Sequence, residues 1–161
     1  MVQHATARPR RRPHSLILYC IINIGKVTVK ISITYRPPPK QNGFRNSIFF
    51  DEWSKYLDNI AIIPYDVIIT GDLNLRVDIK YNVEALTFFS ILNSHGLTQH
   101  FNSATHKGGH TLDLVISREL SPIIVGTPSV FDPCLSSNRG KSFGDHLAVQ
   151  FIINMDKSGC I

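Results

Sequence analysis

Asp72 and Asn74 stand two residues apart in Gly71-Asp72-Leu73-Asn74, directly after the largely apolar run Tyr65-Asp66-Val67-Ile68-Ile69-Thr70. Such a run reads as a buried strand, so its end delivers a carboxylate and a carboxamide to one rim. Downstream come Thr111-Leu112-Asp113-Leu114-Val115 and then Gly144-Asp145-His146. Together these segments supply three Asp, one Asn and one His within or next to strands. Metal-assisted phosphate-ester chemistry needs that set: carboxylates for a hard cation, an amide to position, and an imidazole to move a proton or stabilise charge. No one motif is strong alone; their order along one chain is stronger.

Each residue also has a structural reading. Asp72-x-Asn74 can be turn chemistry, because Asp and Asn hydrogen-bond their own backbone. Leu112, Leu114 and Ile116 share one face of a strand, which turns Asp113 the other way with Thr111 and Val115. A carboxylate among apolar neighbours is costly unless paired, and His146 is the natural partner, its tautomer fixed by the pair. The competing reading is a histidine satisfied in a loop. His106 and His110 are four apart but enclose Lys107-Gly108-Gly109, so a helical zinc pair is disfavoured. A loop is expected there, with His106 either fixing structure or touching substrate.

The elements that must position these residues follow from periodicity. A first strand is expected from Leu16 to about Asn23, then a turn near Gly25. Leu16 to Ile22 follows basic residues and resembles a short signal core, but no small-residue cleavage site follows. In the next strand Val27, Val29, Ile31 and Ile33 alternate with Thr28, Lys30, Ser32 and Thr34, giving one apolar and one polar face. Pro37-Pro38-Pro39 ends it and residues 40–46 form a polar loop. A helix capped by Asn46 or Ser47 is expected, with Asp51 and Glu52 in its first turn and Phe49, Phe50, Trp53, Leu57 and Ile60 on its inner face. Pro64 closes that segment. A second helix, from about Val83 to Ser94 with Asn82 as cap and Gly96 as stop, presents Ala85, Phe88, Phe89 and Leu92 to the core. Further strands are expected over 97–101, 111–117, 123–130 and 147–153, with a long loop over 132–142. Mixed strands and helices without a repeat make this an α/β (α+β) layered domain.

The 161 residues make one domain the default, and their 43% hydrophobic content can fill a core. No run approaches the roughly 18 apolar residues of a membrane span, so no membrane partner is expected. The net charge of +5 is unevenly placed. Arg8, Arg10, Arg11 and Arg12 lie in the first fourteen residues, which hold no acid; without them thirteen basic residues face twelve acidic ones. The chain thus divides into a basic Arg/Pro tail (1–14), a nearly neutral domain (15–156) and a short C-terminal tail (157–161). The basic tail is suited to touching phosphates, or is solvated filler. Cys20, Cys134 and Cys160 are odd in number and far apart, which argues against a zinc site or disulfide framework and for reduced thiols in an intracellular protein.

The segments Thr34-Tyr35-Arg36-Pro37-Pro38, Thr70-Gly71-Asp72-Leu73-Asn74, Thr105-His106-Lys107-Gly108-Gly109-His110-Thr111-Leu112-Asp113-Leu114-Val115 and Gly144-Asp145-His146 occur in that order. In this they resemble the endonuclease/exonuclease/phosphatase superfamily with its DNase I-like fold, and more closely the reverse-transcriptase-associated endonuclease domain of non-LTR (LINE-type) retrotransposons. The phrase T-H-x-x-G-x-T-L-D-L-V is rather specific to that branch. The resemblance covers about residues 20 to 155. It implies a four-layer sandwich of two mixed β-sheets with outer helices, Mg²⁺ as cofactor with Mn²⁺ as substitute, DNA as partner, and hence a nuclear location. By the same resemblance Tyr35 contacts the scissile phosphate, Asp72 orients the attacking water or helps bind metal, and Asn74 positions the phosphate. Asp145 is a metal carboxylate, and His146, oriented by Asp113, stabilises or protonates at the phosphate.

The chain also departs from the pattern. The early Asn and Glu metal ligands of the family have no counterpart before Tyr35, and Gly144 stands where a Ser is usual. The chain therefore looks like the C-terminal part of the domain, N-terminally truncated. Two function classes follow. One is a Mg²⁺-dependent endonuclease, weakened by the missing Glu and completed by a polypeptide that supplies the N-terminal half. The other is a non-catalytic retroelement remnant with at most weak nucleic-acid binding. A phosphatase of the same superfamily is a third option, which the T-H-x-x-G phrase disfavours.

Overall fold

The computed structural model describes residues 15–38, 45–135 and 144–155. The basic tail, most of the polar loop after Pro38, most of the loop after Asp132 and the C-terminal tail lie outside the described residues. The element order is β1 (Leu16–Ile24), β2 (Val27–Tyr35), α1 (Asn46–Ala61), β3 (Asp66–Asp72), α2 (Val83–Ser94), β4 (Leu97–Gln99), β5 (Asp113–Arg118), β6 (Ile124–Phe131) and β7 (Ala148–Ile153).

Five strands form one sheet in the order β1-β2-β3-β5-β4. Its β2–β3 pair is parallel and its other pairs are antiparallel, so this sheet is mixed. The second sheet, β6-β7, is antiparallel among the described residues rather than mixed. Both helices cover one face of the large sheet and the small sheet covers the other. The described residues thus form three layers, helix on sheet on sheet. No helix among them is long and apolar enough to cross a membrane.

The layers meet through two apolar clusters that use opposite faces of the same strands. Val67 and Ile69 of β3 and Leu114 and Ile116 of β5 point toward the helices, where they meet Phe49, Trp53, Leu57, Ile60, Phe88 and Leu92. Ile68 and Val115 point the other way, onto Ile123, Ile124, Val149 and Phe151. The middle of β3, Val67-Ile68-Ile69, is therefore continuously apolar because it is covered on both faces. Phe49, Trp53 and Phe88 stack in series, with ring centroids 5.9 and 5.8 Å apart. Burying each such ring contributes about 1.5–3 kcal/mol, which ties α1 to α2 across the sheet.

Two local expectations fail, each for a reason in the packing. The Asn46 side chain does not cap α1; Arg45 is the N-cap residue and makes no side-chain cap bond. Asn46 instead sits inside the helix, bonded to Arg36 and Glu84, and Asp51 and Glu52 fall beyond the first turn. In β2 the alternation holds at the start, where Val27 and Val29 are buried, and inverts at the end. There Ser32 and Thr34 are buried while Ile33 is 57% exposed. Val27, Val29 and Ile31 pack into the cluster that the small sheet covers, and Ile33 lies beyond it. Strand β1 joins neither cluster, and Leu16, Leu18 and Ile24 on it are exposed.

Candidate active site

The Asp72–Asn74 segment starts where β3 leaves the sheet. Gly71 has φ +129, and a Cβ there would lie 2.1 Å from the Thr34 carbonyl oxygen. Only glycine lets β3 run this close to β2. Asn74 then adopts φ 47, the left-handed region that Asn tolerates. Its backbone N–H donates to Asp72 Oδ1 and its Nδ2 to Asp72 Oδ2, both at 2.8 Å. The second amide hydrogen goes to the Arg36 carbonyl, also at 2.8 Å. Two acceptors around Nδ2 fix the amide's orientation. Asn74 therefore spends its donors on Asp72 and on the Arg36 carbonyl, where the resemblance has it position the phosphate.

Arg36 is the residue that sequence reasoning missed. It is 2% exposed, and its Nη1 donates to the carbonyls of Leu73 and Asn74 at 3.2 Å each. Its Nη2 donates to Asn46 Oδ1, and its guanidinium carbon lies 4.6 Å from the Phe49 ring centroid. Burial lowers its pKa, and the charges of Glu84 and Asp72 work against that. One fork thus binds the turn after β3 to the starts of both helices. The only sequence signal is an arginine directly after a strand, next to Pro37.

Asp72 and Asp113 are directly opposite each other in the β3–β5 ladder. Like charges so placed repel, and His146 offsets that repulsion. Its Nδ1 lies 2.9 Å from Asp113 Oδ2 and its Nε2 3.8 Å from Asp72 Oδ2. The carboxylate on Nδ1 keeps the proton there, so the neutral ring carries its lone pair on Nε2. Burial pushes the Asp72 carboxyl above the usual carboxylate range and Asp113 adds to this, while Asn74 and His146 oppose it. For His146, burial acts to lower the pKa, but the bond to Asp113 and the charges of Asp113, Asp72 and Asp145 outweigh it and raise it above 6.5.

The loop after β4 holds Asp145 and His146 in place. Thr105 is fully buried, and its Oγ1 accepts from the backbone N–H groups of Leu112 and Asp113 at 2.9 Å. Its carbonyl accepts from Leu147 N–H, and Lys107 N–H donates to the Asp145 carbonyl, both at 2.7 Å. His106 and His146 form an isolated antiparallel bridge, and their rings meet edge to face with centroids 5.2 Å apart. His106 Nε2 lies 2.8 Å from Asp145 Oδ2, a bond that holds the Asp145 carboxyl below its usual range. His110 turns away and pairs with Asp78 at 3.1 Å. Asp78 also accepts from Thr111 N–H, a brace with no motif of its own in the sequence.

Tyr35, Asp72, Asn74, His106, Asp113, Asp145 and His146 line one open cavity of about 610 Å³. Tyr35, 44% exposed, sits at its rim. The structure thus brings together every site residue named from sequence. It does not bring Asp72 and Asp145 into one donor group. Asp72, Asp113 and His146 form one group of metal-capable atoms, and His106, Asp145 and His146 form another, with His146 shared.

No protein-family model matches the chain, and no curated protein matches it. Solved structures do. One is D. rerio TDP2 complexed with single strand DNA product, with TM-score 0.64 and 13% identity over 96% of this chain and 69% of that one. Another is the endonuclease domain of TRAS1, a telomere-specific non-LTR retrotransposon, with TM-score 0.60 and 15% identity over 88% and 64%. A third is an endonuclease/exonuclease/phosphatase family protein from Leptotrichia buccalis, with TM-score 0.55 and 16% identity over 86% and 54%. At such identities the likeness is one of fold: the chain has the DNase I-like α/β fold of endonuclease/exonuclease/phosphatase proteins, and spans 54–69% of these three structures.

Proposed function

We propose that the chain is a divalent-metal-dependent phosphodiesterase of the non-LTR retrotransposon endonuclease kind, which hydrolyses DNA and holds its cation weakly. One observation carries this reading. Asn74, Asp72, His146 and Asp113 form a continuous polar line beside Asp145 and Tyr35 on one cavity. The fold shared with a DNA-bound structure and a retrotransposon endonuclease domain supports it.

The donors suit a hard cation in kind, since Asp72 and Asp145 offer carboxylate oxygens and Mg²⁺ takes one or two of these. They are few in number. Asn74 engages both oxygens of Asp72, and His146 engages Asp113. Asp145, whose side chain is 66% exposed, is the carboxylate best placed to hold Mg²⁺ or Mn²⁺, while Asp72 belongs to the neighbouring donor group that shares His146 with it. A bound cation would neutralise phosphate charge and acidify a water. The chain's own residues then divide the proton work. Asp72, made more basic by burial, accepts a proton from the attacking water. His146 holds its proton to higher pH and presents it to charge developing on the phosphate. Asp113 and Asn74 orient these two groups, and Tyr35 meets the phosphate at the rim.

The engaged donors favour a second reading, a remnant that binds nucleic acid without cleaving it. Plasmid nicking separates the two. Slow nicking with Mg²⁺ or excess Mn²⁺, abolished by Asp72→Asn or His146→Ala, is expected of the enzyme. A polypeptide bearing the N-terminal part of such a domain is expected to accelerate it. Retained DNA binding with no nicking under any of these conditions would leave the remnant reading.

A further inference from the structure

We infer that His106 is a positioning residue for Asp145, holding that carboxylate through Nε2–H while the Gly108 amide fixes its tautomer, and is not itself a metal ligand. This rests on the reading of Asp145 as a cation-binding carboxylate. The Gly108 N–H donates to His106 Nδ1 at 2.9 Å. An Nδ1 that accepts a hydrogen bond leaves the neutral ring's proton on Nε2. That nitrogen lies 2.8 Å from Asp145 Oδ2, so His106 donates and the carboxylate accepts. A metal-binding histidine has the opposite arrangement: one nitrogen bare toward the metal and the other N–H donated outward. His146, with Asp113 on Nδ1, has that arrangement; His106 has the reverse, although it lies with Asp145 and His146 in one group.

Two further features support the role. A Cβ at Gly108 would lie 2.8 Å from His106 Nδ1, so glycine is what allows the amide to reach the ring. The His106 ring also stands edge-on to His146, with planes 84° apart. One side chain thus orients Asp145 and packs against His146, both on the candidate site.

The test is Mn²⁺ binding, followed by the paramagnetism of the free ion, on the folded chain and on Asp145→Asn, His106→Phe, His106→Gln and Gly108→Ala. Outer partners of metal ligands are worth about 10–100-fold in affinity. His106→Phe keeps the ring packing and loses the donor, so it is expected to weaken Mn²⁺ by about that factor. His106→Gln keeps an N–H near the Nε2 position and is expected to retain most of the affinity. Gly108→Ala is expected to weaken binding, and to add little on top of His106→Phe, because both act through one contact. Long-range ¹⁵N–¹H correlation is expected to show the neutral His106 ring protonated on Nε2. Protonation on Nδ1, or equal weakening by Phe and Gln, would overturn the assignment. So would unchanged Mn²⁺ affinity in His106→Phe beside a loss in Asp145→Asn, an outcome that leaves the metal reading standing. Asp145→Asn that binds as tightly as the unchanged chain, or a chain that binds no Mn²⁺, would overturn the metal reading and the role of His106 with it.

Discussion

Arg36 holds Asn74 from both ends: its guanidinium donates to the Asn74 carbonyl at 3.2 Å, and its own carbonyl accepts from Asn74 Nδ2 at 2.8 Å. Its backbone N–H also donates to the Asp72 carbonyl at 2.8 Å. The turn that carries the candidate catalytic pair is therefore fixed by one buried residue outside it. Removing the charge strands Asn46 and the carbonyls of Leu73 and Asn74. Arg36→Met is expected to cost about 3–5 kcal/mol, the range for breaking one side of a buried charged network. Arg36→Lys is expected to recover only part, because a compact ammonium lacks the planar fork that reaches the two carbonyls through one nitrogen and Asn46 through another. Urea unfolding gives the comparison through its midpoint at constant slope. A loss under about 1 kcal/mol for Arg36→Met would mean that the turn holds itself.

Arg36 also marks where sequence reading stops. Asp113 was legible because a carboxylate among apolar strand neighbours needs a partner, and Asp72 and His146 because their segments follow or open strand-like runs in a set order. The dyad followed from asking what could neutralise Asp113. Arg36 broke no period, since it follows the strand directly and an arginine there reads as solvated. Its burial comes from α1 and α2 closing over it, which is tertiary information. Asn46 misled for the same reason: its partners, Arg36 and Glu84, are 10 and 38 residues away. The inverted burial of Ser32 and Ile33 depends on how far the small sheet extends, which the alternation of β2 alone does not encode.

Gly71 makes a sharp stability test. At φ +129 any L-residue is strained, and the added Cβ would meet the Thr34 backbone rather than a movable side chain. Gly71→Ala is expected to lose about 1–3 kcal/mol from backbone conformation alone. Overpacking between β2 and β3 adds about 1–3 kcal/mol more. Thermal melting with circular dichroism measures the loss. A melting temperature equal to that of the unchanged chain would show that the two strands part freely at this point.

The His146–Asp113 pair predicts a pH dependence of stability with a definite sign. The folded pKa of His146 is raised, so the folded state binds the proton more tightly than the unfolded one. The stabilisation is complete below the unfolded value of about 6.5 and is lost as pH rises through the folded value. Asp113→Asn removes the partner charge. The stability gap between the unchanged chain and this variant is therefore expected to be widest near pH 5.5 and to narrow toward pH 8.5, pH values chosen roughly to bracket that ionisation. Chemical denaturation at several pH values measures it, and a gap that widens as pH rises would contradict the pairing.

DNA affinity is expected to depend on the basic tail. Arg8, Arg10, Arg11 and Arg12 lie within fourteen residues that hold no acid, and the rest of the chain is close to neutral. The candidate site itself is rich in carboxylates, so it offers little attraction for a polyanion before a cation binds. Non-specific DNA binding should then come mainly from the tail, through release of counterions from the phosphates it meets. Four arginines on duplex phosphates contribute a slope of roughly three to four in log affinity against log salt. Deleting residues 1–14 is expected to weaken binding at low salt and flatten the slope by about that amount, while leaving Mn²⁺ affinity unchanged. Fluorescence anisotropy of a labelled duplex over a salt series reads the slope directly. Equal slopes with and without the tail would assign DNA contact to the folded domain and leave the tail as solvated chain.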